Sequence, residues 1–201
     1  MKIVIRLSLA TCFVFALPLG LVQADVGAIA EKCEKCHGDG GNSTDGEVPS
    51  IAGMSTIYLD DTLNAYVDGD RKGVKYTPEG GEESDMEEVA NKLSADDITA
   101  IAEYYAGKTF KVQAQDVDSG MAAEGRKIFD KNCDKCHDEG GSVADDDAGL
   151  LLGQWKPYLE KQFSLFADGT RIMTKKMKKK FNKLSDDDKA KIIEYLAGGK
   201  L

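Results

Sequence analysis

The pentapeptide CEKCH occupies residues 33–37, and CDKCH occupies residues 133–137. The two stand 100 residues apart in a chain of 201, and between them they hold both of its histidines. Four of the five cysteines lie there as well, the fifth being Cys12. A cysteine pair separated by two residues, with a histidine directly after, is the pattern of covalent c-type haem attachment. Thiols at that spacing reach the two vinyl groups of one porphyrin from a single helical turn. The imidazole that follows then lies under the ring, where it ligates iron.

Other chemistries use the same residue types but not this pattern. Zinc sites bring their second ligand pair within ~12–20 residues; here the next cysteine follows Cys36 by 97 residues. A thioredoxin-like redox pair needs a βαβ setting, and no strand pattern surrounds either motif. Structural disulfides would have no use for His37 and His137. Two covalently bound haem c groups are expected, attached through Cys33 and Cys36 and through Cys133 and Cys136.

The repeat extends beyond the pentapeptides. At the offset of 100, Gly53–Leu59 (GMSTIYL) aligns with Gly153–Leu159 (GQWKPYL), and Asp68–Arg71 (DGDR) with Asp168–Arg171 (DGTR). Further on the offset falls to 91: Leu93–Asp97 (LSADD) matches Leu184–Asp188 (LSDDD), and Glu103–Gly107 (EYYAG) matches Glu194–Gly198 (EYLAG). The first unit therefore carries nine extra residues between Arg71 and Met86. That stretch, KGVKYTPEGGEES, is rich in Gly, Pro and charge and reads as a surface loop. A linker is expected near 108–119.

Both units read as helical, so the fold class is all-α. Ile98, Ile101, Ala102 and Tyr105 recur at helical spacing, as do Ile192, Ile193 and Leu196. Ser94 and Ser185 suit N-caps, with Asp97 and Asp188 three residues later as in a capping box. Gly107 and Gly198 are expected to stop these helices. Leu159, Phe163 and Phe166 form another apolar stripe, with Pro157 suited to its first turn. A unit of this size has a core too small for much stability of its own and often needs a staple, which a bound haem provides.

Residues 1–24 have the form of a secretory signal peptide. Lys2 and Arg6 precede an apolar run over 7–22, and Val22-Gln23-Ala24 offers small residues for cleavage after Ala24. The run is shorter than the ~20 residues of a spanning helix, so the mature chain is expected to have no membrane span and to be periplasmic, in an oxidising compartment. Domains are expected at 25–110 and 111–201. The first holds 19 acids against 7 bases, net −12; the second holds 16 against 17, net +1. Overall acidity, −9 for the whole chain, argues against nucleic acid as a partner.

With both histidines used, no third one exists to complete either iron, and methionine is the usual alternative in electron-transfer cytochromes. Met86 and Met177 each stand seven residues before a Leu-Ser pair, in the repeat register. Met54 and Met121 have no repeat partner, and Met173 is the rival to Met177. The iron ligands are thus expected to be His37 with Met86 and His137 with Met177. Lys175, Lys176, Lys178, Lys179, Lys180 and Lys183 surround Met177, whereas Glu82, Glu83, Asp85, Glu87 and Glu88 flank Met86. The two haem edges are expected to differ in sign, positive at the second and negative at the first.

The chain resembles the di-haem cytochromes c of the cytochrome c4 type. It resembles more particularly the haem subunit of flavocytochrome c sulfide dehydrogenase, over the whole mature chain. CEKCHGDGGNS (33–43) followed by VPSIAG (48–53) looks like both. GQWKPYL (153–159), MTKKM (173–177) and the linker FKVQAQ (110–115) look closer to the flavocytochrome subunit, and the loop 72–85 looks closer to c4. The resemblance implies two tandem class I cytochrome c domains related by a pseudo-twofold axis, with haem propionates facing one another across the interface. It also implies a proline carbonyl, from Pro49, accepting from the His37 ring; the second unit has Gly149 at that place. The implied role is electron transfer from a flavoprotein that oxidises sulfide to a downstream cytochrome or oxidase. A free c4-like carrier delivering to a terminal oxidase is the alternative. An enzyme with an open haem would need a vacant distal site, against which the matched methionines argue.

Overall fold

The structure, a computed structural model, describes residues 25–145 and 148–200. The expected signal segment, with Cys12, lies outside the described residues. The first unit contains α1 (Val26–His37), α2 (Thr56–Val67), α3 (Met86–Ala90) and α4 (Ala95–Ala106). The second contains α5 (Ser119–Asn132), α6 (Asp138–Gly141), α7 (Lys156–Asp168), α8 (Lys175–Phe181) and α9 (Asp186–Gly198). Among the described residues the extended pairings are two isolated bridges, Tyr76 with Ser84 and Asp145 with Ala148.

Local sequence explains where the helices begin. Ser94 accepts from the Asp97 N–H at 3.1 Å while the Asp97 carboxylate accepts from the Ser94 N–H at 3.0 Å. Ser185 and Asp188 repeat this at 3.0 Å in both directions. Each reciprocal pair satisfies two N–H groups that the helix itself cannot. Pro157 sits in the first turn of α7, where its missing N–H costs nothing. Gly107 caps α4 as expected. Gly198 does not stop α9: it is the last helical residue, and Gly199 takes the left-handed conformation at φ +62°. With two glycines in succession the stop can fall on the second, since either tolerates positive φ.

Two cores form. Ala30, Met54, Leu59, Ile101, Ala102 and Tyr105 make the first, and Phe129, Leu152, Leu159, Ile192, Tyr195 and Leu196 belong to the second. Helices α5 and α9 approach so closely at Gly125 that a Cβ there would lie 1.9 Å from the Lys191 carbonyl oxygen. Only glycine permits that crossing.

The units are joined by contacts that exchange corresponding positions. The Ser50 N–H donates to Gln154 Oε1 at 3.0 Å, and Gln154 Nε2 donates back to the Ser50 carbonyl at 2.8 Å. At the equivalent place the Leu150 N–H points at Met54 Sδ, 3.1 Å away. Trp155 Nε1 donates to the Ser43 carbonyl at 2.9 Å, and the Tyr158 N–H to the Gly46 carbonyl at 2.9 Å. Gly149 lies against Tyr58, where a Cβ would meet the ring at 2.6 Å. The Tyr58 ring therefore accounts for the missing second proline: a side chain at 149 would collide with the other unit.

The extra residues of the first unit form the expected surface loop, tied by Tyr76 and Ser84 through two backbone hydrogen bonds of 2.9 Å. Lys72 pairs with Glu87 at 3.2 Å, and Lys75 pairs with Asp85 at 2.9 Å and Glu88 at 2.6 Å. Exposed pairs like these contribute ~0–1 kcal/mol each, so their main consequence is electrostatic. Two lysines thus pair with three of the five acids flanking Met86, which weakens the negative charge of that edge without cancelling it. The loop folds back and supplies the lysines.

Candidate haem-binding sites

The first motif completes α1. Cys33 and Cys36 carry free thiols one turn apart, and His37 is the buried last residue of the helix. The His37 ring sits 2.8 Å from the Pro49 carbonyl through Nδ1. A carbonyl only accepts, so Nδ1 carries the proton and Nε2 keeps the lone pair a metal needs. Burial, only partly opposed by that carbonyl, holds the His37 pKa below its ordinary value. The imidazole is thus neutral and oriented before any metal binds. Burial also pushes the Cys33 and Cys36 thiols up.

The second motif has the same chemistry in a different backbone. Helix α5 ends at Asn132, and Cys133–His137 follow as a turn closed by the Cys136 N–H and the His137 N–H, both donating to the Cys133 carbonyl, at 3.0 and 3.1 Å. One turn still spans both cysteines. The His137 ring lies 6.3 Å from Phe129, tilted by 52°. Burial pushes the Cys133 thiol up to about 11, although the Lys180 ammonium pulls the other way.

Between the units lies a cleft of about 330 Å³, lined by Ala65, Asp70, Arg71, Arg171 and Ile172. The two arginines are repeat equivalents in equivalent poses. Arg71 stacks 4.9 Å from the Tyr66 ring and Arg171 4.6 Å from the Phe166 ring. Their backbone N–H groups donate to Ala65 and Leu165 at 2.9 and 2.8 Å. Burial raises the Tyr58 pKa, but the charges of Arg71 and Arg171 outweigh it and hold the phenol below its ordinary value. Among the described residues neither guanidinium has a carboxylate in an ion pair, and Asp70 makes none with them. Two partly buried cations without acids fit a ligand that brings carboxylates, as a haem c does. The donor sets and this cleft suit the group on independent grounds. In the repeat Arg71 aligns with Arg171 and Tyr58 with Tyr158, but the alignment alone gives them no role. The signal was present in the matched Gly-x-Arg, but its meaning depends on the two copies meeting.

The methionines occupy distinct settings. Met86 opens α3 and Met177 is the third residue of α8, both half-buried. Met177 shares the inward face of α8 with Phe181, four residues on, which packs against Phe163 and Phe166 at 5.5 and 5.8 Å. Met86 stands likewise four residues before Ala90, which is fully buried. The 91-residue register holds in the backbone: Asn91, Lys92 and Leu93 donate to Glu87, Val89 and Ala90, and Asn182, Lys183 and Leu184 donate to Lys178, Lys180 and Phe181. Met173 precedes the α8 cap, Thr174. Met54 fills the interface core.

Two helical units, each presenting Cys-x-x-Cys-His around a single turn, define a di-haem c-type cytochrome, an electron carrier with two covalently bound haem c groups. A model of the family "Cytochrome c" matches residues 26–106, and one described as "Cytochrome C oxidase, cbb3-type, subunit III" matches 120–196. The chain is 31% identical to cytochrome c4 of Pseudomonas aeruginosa over 183 residues, covering 85% of each. It is 31% identical over 153 residues to the thiosulfate dehydrogenase electron acceptor of Thiomonas intermedia, covering 71% of this chain and 65% of that one. The crystal structure of reduced recombinant cytochrome c4 from Pseudomonas stutzeri superposes with a TM-score of 0.69 at 30% identity, covering 87% of this chain and 98% of that one. The chain belongs to the cytochrome c4 family.

Proposed function

We propose that this protein is a periplasmic carrier, exported by a signal peptide cleaved after Ala24. It takes electrons from a flavoprotein dehydrogenase acting on sulfide and passes them to a downstream cytochrome or oxidase. What carries the reading is the tight joining of two Cys-x-x-Cys-His units around the shared Arg71–Arg171 cleft. The sequences at 153–159 and 173–177 support the flavoprotein donor through their resemblance to a flavocytochrome haem subunit, and the likeness to a thiosulfate dehydrogenase electron acceptor supports a sulfur-oxidising context. The likeness to cytochrome c4 over nearly its whole length and the 72–85 loop favour the second reading, a free carrier to a terminal oxidase.

When bound, haem c supplies a one-electron ferric–ferrous couple, whose ferrous state thioether ligation favours. Cys33, Cys36, Cys133 and Cys136 would attach the two groups through thioether bonds. His37 and Met86 would hold one iron, and His137 and Met177 the other. The Pro49 carbonyl holds the His37 ring in its ligating tautomer. Arg71 and Arg171, beside Tyr58, would hold the carboxylates of the bound groups between the units. The proposed domains are 25–110 and 111–201, a division supported by Phe110 packing on the first core and Val117 on the second. Purification of the tagged protein from its native cells tests the donor. A flavoprotein present in equal amount supports the subunit reading; its consistent absence, with turnover by a terminal oxidase, supports the free carrier.

A further inference from the structure

The helices that follow the two cysteine-histidine motifs and carry Met86 and Met177 have reversed charge at equivalent positions. Asp85, Glu87 and Glu88 of the first domain correspond to Lys176, Lys178 and Lys179 of the second. The reversal is not balanced in the same way on the two sides. In the first domain Lys72 and Lys75 of the extra loop pair with all three acids. The second domain has no such loop, and Lys175, Lys176, Lys178, Lys179, Lys180 and Lys183 are exposed. None of the six is in an ion pair among the described residues.

The cluster is held in place. Phe181 fixes α8 from beneath, between Phe163 and Phe166, with Lys189 5.2 Å from its ring. The five lysines of α8 therefore project from one anchored turn and a half. The cluster also borders the second haem site: the Lys180 charge reaches Cys133, and Met177 sits in its midst. The acids nearest in sequence, Asp186, Asp187 and Asp188, are engaged elsewhere: Asp186 pairs with Lys189 at 2.9 Å, Asp187 with Lys191 at 2.8 Å, and the Asp188 carboxylate accepts from the Ser185 N–H at 3.0 Å. A concentrated, uncompensated positive field on a rigid element, in a chain of net charge −9, repels nothing acidic locally and steers anionic surfaces to that one edge.

We infer that the lysine face of α8 is the docking surface for an acidic redox protein, and that this partner meets the second domain and not the first. The inference deepens the electron-carrier reading by giving the chemistry of one partner. A flavoprotein subunit and a free carrier would both keep it, so its failure leaves the co-purification result untouched.

The test uses the oxidised holoprotein and an acidic flavodoxin as the probe. Dissociation constants are measured by calorimetry at ~10 mM and ~150 mM ionic strength, a range over which the screening length falls several-fold. Wild type is expected to bind at low salt and to lose at least ~10-fold in affinity at the higher. Lys176→Asp, Lys178→Glu and Lys179→Glu together copy the first domain's residues and are expected to cost at least ~10-fold at low salt. A control with the same change in net charge, Lys111→Glu, Lys161→Glu and Lys200→Glu, is expected to cost less than ~3-fold. A milder set, Lys175→Gln, Lys176→Gln, Lys178→Gln and Lys179→Gln, gives the answer if the reversal variant fails to assemble. Salt-independent binding, an unaffected α8 variant, or an equal loss in the control would each overturn the inference.

Discussion

The backbone N–H of Ser50 donates to Oε1 of Gln154 at 3.0 Å, across the boundary between the two domains. Both groups are buried, so neither can exchange this bond for one to water. Gln154→Ala should therefore strand the Ser50 N–H and carbonyl and destabilise the protein by about 1–3 kcal/mol. Gln154→Met, which copies the Met54 side of the interface, should cost less, because a thioether fills the space and still faces the N–H. Thermal melts of the two variants should separate in that order. Equal stability of Gln154→Ala and wild type would contradict it.

Gly125 presents a second tight approach. Its missing side chain lets the Lys191 carbonyl come within what would be 1.9 Å of a Cβ. Here the obstacle is backbone, which cannot swing aside. Gly125→Ala should force α5 and α9 apart and lower stability by about 1–3 kcal/mol or more. The loss should appear as earlier unfolding of the second domain in denaturant.

Met177→Ala should remove half of the charge-transfer absorbance expected of methionine-ligated ferric iron, and Met86→Ala the other half. Met173→Ala should leave the absorbance intact, since Met173 precedes the α8 cap and falls outside the 91-residue register that pairs Met177 with Met86. The optical spectra of the three oxidised variants decide the assignment.

Removal of the haem attachment points tests the staple. Replacing Cys133 and Cys136 with Ala should leave the second domain unfolded, its core being too small for independent stability. Amide spectra of that variant should show dispersed resonances from the first domain alone. A fully dispersed spectrum would refute the prediction.

The capping boxes carry a pH dependence. The Ser94 N–H and then its hydroxyl hold the Asp97 carboxyl below its ordinary value, and Ser185 does the same for Asp188. A depressed folded-state value means that the stabilisation is present above the ordinary carboxylate range and is lost as pH falls through the depressed one. Asp97→Asn with Asp188→Asn should flatten the acid side of the stability profile and leave alkaline stability sloping as before. An unchanged acid slope in urea titrations would count against the caps.

The haem motifs, the two-unit repeat, the helical class and the caps were all legible in the chain because each is local. Cys33, Cys36 and His37 lie within one turn, and Ser94 and Asp97 within another, so spacing alone brings them together. The seven-residue interval from Met86 and Met177 to their Leu-Ser pairs survived as a backbone register for the same reason. Only the tertiary structure decided what depends on residues far apart in sequence. Arg71 and Arg171 acquire meaning by facing one cleft, and Gly149 is explained by a ring from the other domain. Met54 looked like an unmatched candidate and proved to be an interface residue answering Gln154. The acidic flank of Met86 looked unpaired as a string of letters, yet Lys72 and Lys75 fold back to pair with three of its acids and weaken its charge. Short-range geometry is written in spacing, whereas charge balance and interface fit depend on which distant side chains the fold brings within a few ångströms.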